Sequence, residues 1–154
     1  MDIYTDGGCW GNPGPGGWAF IIETGGARYA GKGGEPVTTN NRMELSAVIH
    51  ALKAITAGRV EGQVLPALET GESIVIHTDS QYVQKGITVW IHGWMTNGWK
   101  TAAKDPVKNK EYWQELWALQ AQLPLKWQWL KGHAGHEQNE ACDSLVQEAI
   151  AQLS

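Results

Sequence analysis

The feature that most constrains this chain is a change of hydrophobic period. Asp2–Asp6, Trp18–Glu23 and Ala27–Lys32 read as three short strands, and Gly25-Gly26 suits a hairpin turn between the last two. Three strands in succession joined by tight turns imply an antiparallel meander. At "TTNNRMELSAVIHALKAI" the period lengthens: Leu45, Val48, Ile49, Leu52 and Ile55 recur at helical spacing, with Thr and Asn upstream as cap candidates. "SIVIHT", Ser73–Thr78, is nearly continuous in apolar residues, the mark of a strand buried on both faces. A helix follows from Ser80 to about Ile91, another over Glu111–Leu123, a strand over Leu125–Leu130, and a last helix bearing Ala141, Leu145, Ala149, Ile150 and Leu153. The order βββ-α-β-α-α-β-α implies an α/β fold with a mixed sheet flanked by helices. Between Gly58 and Ser73 the pattern dissolves, and a loop or insertion with at most a helical turn is expected.

The length, 154 residues, fits one domain with a substantial core, so residues 1–154 are read as a single unit. No apolar run approaches a membrane span, and the N-terminus lacks the basic and apolar segments of a signal peptide. Cys9 and Cys142 are expected to be free thiols in a reducing, cytoplasmic setting. A monomer is the default, with no heptad pattern to argue otherwise. The formal net charge of −4 argues weakly against a general nucleic-acid coat, although several of the nine tryptophans cluster around lysines.

Four acids occupy comparable positions. Asp6 and Asp79 each end a buried strand, Glu44 lies in the first turn of the first helix, and Asp143 lies in the last helix. If the first and fourth strands are parallel neighbours, Asp6 and Asp79 lie side by side at the sheet end where α/β proteins bind ligands. Each acid also has a plain structural reading. Glu44 follows Asn41 by three residues, as in a capping box; Asp79 begins a turn; Asp143 sits on a solvated face. Taken together, four converging carboxylates would repel one another unless cations neutralised them. Oxygen-only donors favour Mg²⁺ or Mn²⁺, and no Cys/His set has zinc spacing.

Five segments then follow in a recognisable order: "YTDGGCWGNPGPGGWAF", "TTNNRMELSAVIHAL", "HTDSQYVQKGITVWI", "GWKTAAKDPVKN" and "WLKGHAGHEQNEACDSL". In that order they resemble type 1 ribonuclease H, most closely the bacterial cytoplasmic members, over nearly the whole chain. The resemblance implies a ribonuclease H-like fold with a five-stranded mixed sheet. It also implies endonucleolytic hydrolysis of the RNA strand of RNA–DNA hybrids, with 5′-phosphate and 3′-hydroxyl ends and two Mg²⁺ ions. The matching metal-binding quartet is Asp6, Glu44, Asp79 and Asp143, and His133 matches a loop histidine that assists proton movement or product departure. His136 matches no catalytic position. Gly7, Cys9, Asn12, Asn40, Asn41 and Gln81 match positions that approach RNA riboses or bases, and Thr39 one that grips a DNA phosphate. Trp90, Trp94, Trp99 and Lys100 match the aromatic, basic protrusion along the DNA strand.

Three other readings start from the same residues. A transposase- or integrase-like core would cleave duplex DNA, a hybrid-binding module would bind without cleaving, and a calcium site would only stabilise the fold. The first group does not generally combine the glycine loop, "TTNNRMEL" and "KGHAGH". Binding modules of this kind usually lose an acid, and all four are present here.

The chain departs from the well-known bacterial members at the protrusion, where a short run of cations gives way to Met95-Thr96-Asn97 and a phosphate-holding Asn to Gly93. Lys85, Lys100, Lys104, Lys108 and Lys110 keep the region positive, with Asp105 opposing them. Fewer neutralised phosphates predict weaker hybrid binding with a shallower salt dependence. Met95→Lys combined with Asn97→Arg should therefore lower KM and steepen the logarithmic salt slope by about 1–2. Unchanged KM and slope would show that the missing cations do not matter.

Overall fold

Pairing of the first three segments into one meander begins at Gly25-Gly26. Both glycines have positive φ, 59° and 77°, and Thr24 faces Ala27 across the turn, so two left-handed residues close the hairpin. The computed structural model describes residues 1–131 and 137–153. Its first strands are β1 (Asp2–Cys9), β2 (Gly14–Thr24) and β3 (Ala27–Thr38). β2 pairs antiparallel with both neighbours, and its alternate residues feed two apolar clusters. Phe20 and Ile22 join Ile3, Leu45, Leu52, Ile74 and Ile76, whereas Ala19 packs with Val146 and Ile150. Period-2 alternation thus gives the sheet two buried faces.

β1 does not stop at Asp6 as the sequence suggests. It continues through Gly7, Gly8 and Cys9, which pair with Trp18, Gly17 and Gly16 of β2. Glycine weakens a strand by propensity, but here its lack of a side chain makes room for helices. A Cβ on Gly7 would overlap the backbone of Met43 and Glu44, and one on Gly17 would press on Val146, Ala149 and Ile150.

Helix α1 (Asn40–Ala57) carries the first of those contacts. Its N-cap is Thr39, whose side chain accepts from the Arg42 N–H at 3.3 Å. Glu44 therefore lies in the second turn rather than the first, and the expected capping box with Asn41 does not form. The uncertain segment after α1 is a small hairpin, β4 (Arg59–Val60) and β5 (Gln63–Val64), not a helical turn. Val60 and Leu65 are buried, which ties this excursion to the core.

β6 (Ile74–Thr78) runs parallel to both β1 and β7 (Leu125–Trp129), completing a five-stranded mixed sheet in the order β3-β2-β1-β6-β7. Between β6 and β7 a helical path runs past the predicted end at Ile91. It comprises α2 (Gln81–Lys85), a π-helical turn over Gly86–Trp90, and α3 (Ile91–Thr96), and α4 (Lys110–Ala121) follows. α5 (Glu137–Ala151) packs across β1, β2 and β3. Among the described residues no helix is long and apolar enough to cross a membrane.

The contact at Gly7 gives a direct test. Gly7→Ala must separate β1 from α1, both rigid at that point, and should cost about 2–3 kcal/mol in urea unfolding. Gly8→Ala meets only ordinary contacts, the nearest being Val146 Cγ1 at 3.5 Å, and should change stability by less than about 1 kcal/mol.

Candidate active site

The parallel register of β1 and β6 opposes Ile3 to Ile76 and Tyr4 to His77. Carried two residues further, it sets Asp6 opposite Asp79, which leaves the end of β6. Asp6 is 5% exposed and Glu44 9% exposed, and Asp79 is half-buried. Because α1 lies directly on Gly7, Glu44 enters the same space from the helix. One carboxylate oxygen from each of the three acids lies within 4.8 Å of the others.

The turn after β6 is fixed by its own hydrogen bonds. The Ser80 N–H donates to Thr78 Oγ1 at 3.2 Å, and Ser80 Oγ caps α2 by accepting from the Val83 N–H at 3.1 Å. Burial raises the pKa of Glu44 well above the usual carboxylate range, and the nearby charges of Asp6 and Asp79 push the same way. Hydrogen bonds from the Gly7 N–H and the Ser80 hydroxyl act in the opposite sense and orient the carboxylate. An all-oxygen donor set of this size suits a hard divalent cation, which would relieve the repulsion that now holds Glu44 toward its neutral form.

Asp143, the fourth expected acid, is brought to the edge of the cluster rather than into it. It is exposed on α5 and lines the same cleft of about 460 Å³ as Asp6, Glu44 and Asp79, but stands outside the close triad. Its helix is held by the next residue inward. The Cys142 Sγ–H donates to the Tyr4 carbonyl at 3.4 Å, and burial raises that thiol's pKa. Cys9 and Cys142 are both free, as expected. His133 lies outside the described residues.

Gly7, Cys9, Asn40, Asn41 and Gln81 line the carboxylate cleft. Asn12 does not line it, but its side-chain Oδ1 accepts from the Asn40 N–H at 3.1 Å and ties the β1–β2 loop to α1. Thr39 serves as the cap of α1. Trp90, Trp94 and Trp99 build a separate aromatic array, with ring centroids 5.9 Å apart for the first pair and 6.0 Å for the second. Tyr82 joins the two regions: it lines the cleft, lies 5.8 Å from Trp90, and accepts from Trp113 Nε1 at 3.0 Å through its hydroxyl. Lys100 is exposed beyond this array. Gly8, Ser80, Tyr82 and Gln147 also line the cleft and were not singled out as site residues from the sequence. Gly8 belongs to the glycine loop after Asp6 and Ser80 to the cap after Asp79, and Gln147 is signalled by its i+4 spacing from Asp143.

Comparison with known proteins fits this geometry. The family model described as RNase H matches residues 1–151. The chain belongs to the ribonuclease H family. The ribonuclease H of Treponema denticola is 52% identical over 161 residues, covering 99% of this chain and 98% of that protein. Among solved structures, LC9-RNase H1, a type 1 RNase H with the type 2 active-site motif, is 34% identical with a TM-score of 0.78. The match covers 99% of this chain and 72% of that one. LC11-RNase H1, solved in complex with an RNA/DNA hybrid, is 26% identical with a TM-score of 0.68 over 99% of both chains. As a type 1 ribonuclease H the protein is a hydrolase that cleaves the RNA strand of RNA–DNA hybrids, in a family that depends on divalent metal.

The strain on Glu44 predicts an effect in metal-free protein. Its charged form is disfavoured in the fold, so its contribution to stability falls as pH rises through the raised pKa. At neutral pH Glu44→Gln should stabilise the metal-free ribonuclease H by about 1 kcal/mol or more in urea unfolding, and by less near pH 4. Asp143→Asn, at an exposed position, should change stability by no more than about 0.5 kcal/mol.

Proposed function

We propose that the protein is an endoribonuclease that holds two Mg²⁺ ions, with Mn²⁺ as a substitute, on Asp6, Glu44, Asp79 and Asp143. The observation that carries this reading is the triad itself, three carboxylates from three elements with oxygens within 4.8 Å. When bound, the ions would supply an activated water and neutralise charge on the departing 3′-oxygen, giving 5′-phosphate and 3′-hydroxyl ends.

The chain's own residues do the rest. Asp6 stands within β1, Asp79 directly follows the end of β6, and Glu44 is oriented by Gly7 and Ser80. Asp143, more exposed, reaches the same cleft from α5. His133 takes the role of proton carrier or product release. Backbone at Gly7 and Cys9 and side chains of Asn40, Asn41 and Gln81 face the cleft, where they meet the 2′-hydroxyls and base edges of the RNA strand. Asn12, tied to the start of α1, contacts the RNA strand as well, and Thr39 at the cap grips a DNA phosphate. Trp90, Trp94, Trp99 and Lys100 carry the DNA strand alongside.

We read residues 1–154 as a single domain acting as a monomer without an obligate protein partner. Free Cys9 and Cys142 support a reducing, cytoplasmic setting.

The test uses a hybrid with either strand labelled, Mg²⁺, and single-stranded RNA, duplex RNA and duplex DNA beside it. Cleavage confined to the RNA of the hybrid is expected. Asp79→Asn, nearly isosteric, should lower turnover by at least about 10³-fold while keeping the fold and hybrid binding. Wild-type turnover in that variant would remove Asp79 from the metal site, and cleavage of duplex DNA would point to integrase-like chemistry.

A further inference from the structure

The segment "GWKTAAKDPVKN" ends on a side chain that the catalytic reading does not use. The chain leaves the aromatic array at Trp99 and returns at Val107, whose N–H donates to the Trp99 carbonyl at 3.1 Å, so Asn109 stands at the base of the protrusion. Asn109 is the N-cap residue of α4, in the left-handed region at φ 61° and ψ 29°. An asparagine at a helix N-cap ordinarily turns its side-chain oxygen onto the amides of the first turn, yet Asn109 makes no such bond. Its carboxamide holds other elements instead. Oδ1 accepts from Arg42 Nε of α1 at 3.1 Å, and Nδ2 donates to the Tyr82 hydroxyl of α2 at 3.1 Å. Arg42 precedes Glu44 by two residues, and its guanidinium carbon lies 5.9 Å from the centroid of the Tyr112 ring. Tyr82 lines the carboxylate cleft, accepts from Trp113 Nε1 as well, and has its ring 5.8 Å from that of Trp90. One side chain thus joins the helix that carries Glu44, the residue between cleft and array, and the helix that follows the protrusion.

We propose that Asn109 is a positioning residue that locks the aromatic array to the carboxylate cleft, holding the two at the spacing of an RNA–DNA hybrid gripped by both strands. The inference rests on the hybrid-cleaving reading above, in which the RNA strand enters the cleft and the DNA strand lies along Trp90, Trp94 and Trp99. Two grips on one stiff duplex reinforce each other only where their separation matches that of the strands. The close acids come from β1, α1 and the turn after β6, whereas the array belongs to the helical excursion between β6 and β7. With the bridge in place, the separation is set before substrate arrives. Without it, the ordering falls on the binding step and weakens it. Glu44 keeps its own hydrogen bonds from Gly7 and Ser80, so the effect belongs to KM and not to kcat. The left-handed backbone makes the side chain separable from the turn. Glycine adopts φ 61° without strain, so Asn109→Gly removes the bridge alone.

The test measures kcat and KM on a hybrid with Mg²⁺ for the wild type, Asn109→Gly, Asn109→Asp, Tyr82→Phe, Trp90→Ala, and Asn109→Gly combined with Trp90→Ala. Asn109→Gly should raise KM about 3- to 10-fold, with kcat changed by less than about twofold. Asn109→Asp should recover most of that loss, since a carboxylate accepts from both the Arg42 guanidinium and the Tyr82 hydroxyl. Tyr82→Phe keeps the ring and loses the hydroxyl, so it should raise KM by a similar factor and reads the bridge even if Asn109→Gly does not fold. In the Trp90→Ala background Asn109→Gly should add less than about twofold, because it acts through the array. An unchanged KM in Asn109→Gly, a loss carried by kcat, a loss that Asn109→Asp does not recover, or the same factor with and without Trp90 would overturn the inference. A wild type that leaves hybrids intact would overturn both readings. Hybrid cleavage by the wild type with unaffected Asn109→Gly would overturn this one alone.

Discussion

Where β1 passes beneath α1 the strand has no side chain, and the backbone of Met43 and Glu44 lies directly against Gly7. The site depends on this contact. It sets the depth at which Glu44 enters the sheet end, and the parallel pairing of β1 with β6 sets Asp79 beside Asp6. Three donors from a strand, a helix and a turn are thereby held by elements that are themselves packed on the main core. Rigid support of this kind keeps oxygen donors at bonding distance without a cost of ordering at the moment of binding.

The arrangement opposes ordinary folding energetics. Burying Glu44 next to two other acids favours its neutral form, and hydrogen bonds from Gly7 and Ser80 act against that. The apolar core around Ile3, Leu45, Leu52, Ile76 and Trp113 supplies the stability that lets the fold carry such a site. α5 is attached more lightly, through Ala19, Val146 and Ile150. At its start Arg28 of β3 pairs with Glu137 at 2.7 Å and with Glu23 at 2.8 Å. Both acids raise the guanidinium's pKa, with Glu137 foremost. The closest acids thus come from the strongly packed side of the sheet, and Asp143 from the lighter one.

Much of this was legible in the residues. The change of period at "TTNNRMEL", the apolar run before Asp79 and the motif order specified the mixed sheet, and three of the four acids do meet. Other features depend on long-range contacts that no local pattern records. Gly7 and Gly8 look like the end of a strand by propensity, and only the facing glycines of β2 and the overlying helices make them its continuation. The spacing of Asn41 and Glu44 imitates a capping box, but Thr39 takes the cap and places Glu44 two residues deeper in the helix. The π-helical turn at Gly86–Trp90 shifts the hydrogen-bond register within an otherwise helical pattern, which hides the continuation to Thr96. The bonds of Asn109 with Arg42 and Tyr82 join residues far apart in the chain, so no one side chain announces the others.

The fold drives Asp6, Glu44 and Asp79 together, and we propose that a divalent cation among them relieves the cost. The most direct measurement is the unfolding free energy of the wild type against Mg²⁺ concentration, with monovalent salt matched in ionic strength as the reference. Binding at a preformed cluster predicts stabilisation that grows by about 1.4 kcal/mol for each tenfold rise in Mg²⁺ above the dissociation constant. Stability that follows ionic strength alone, with Mg²⁺ no better than the monovalent salt, would contradict it.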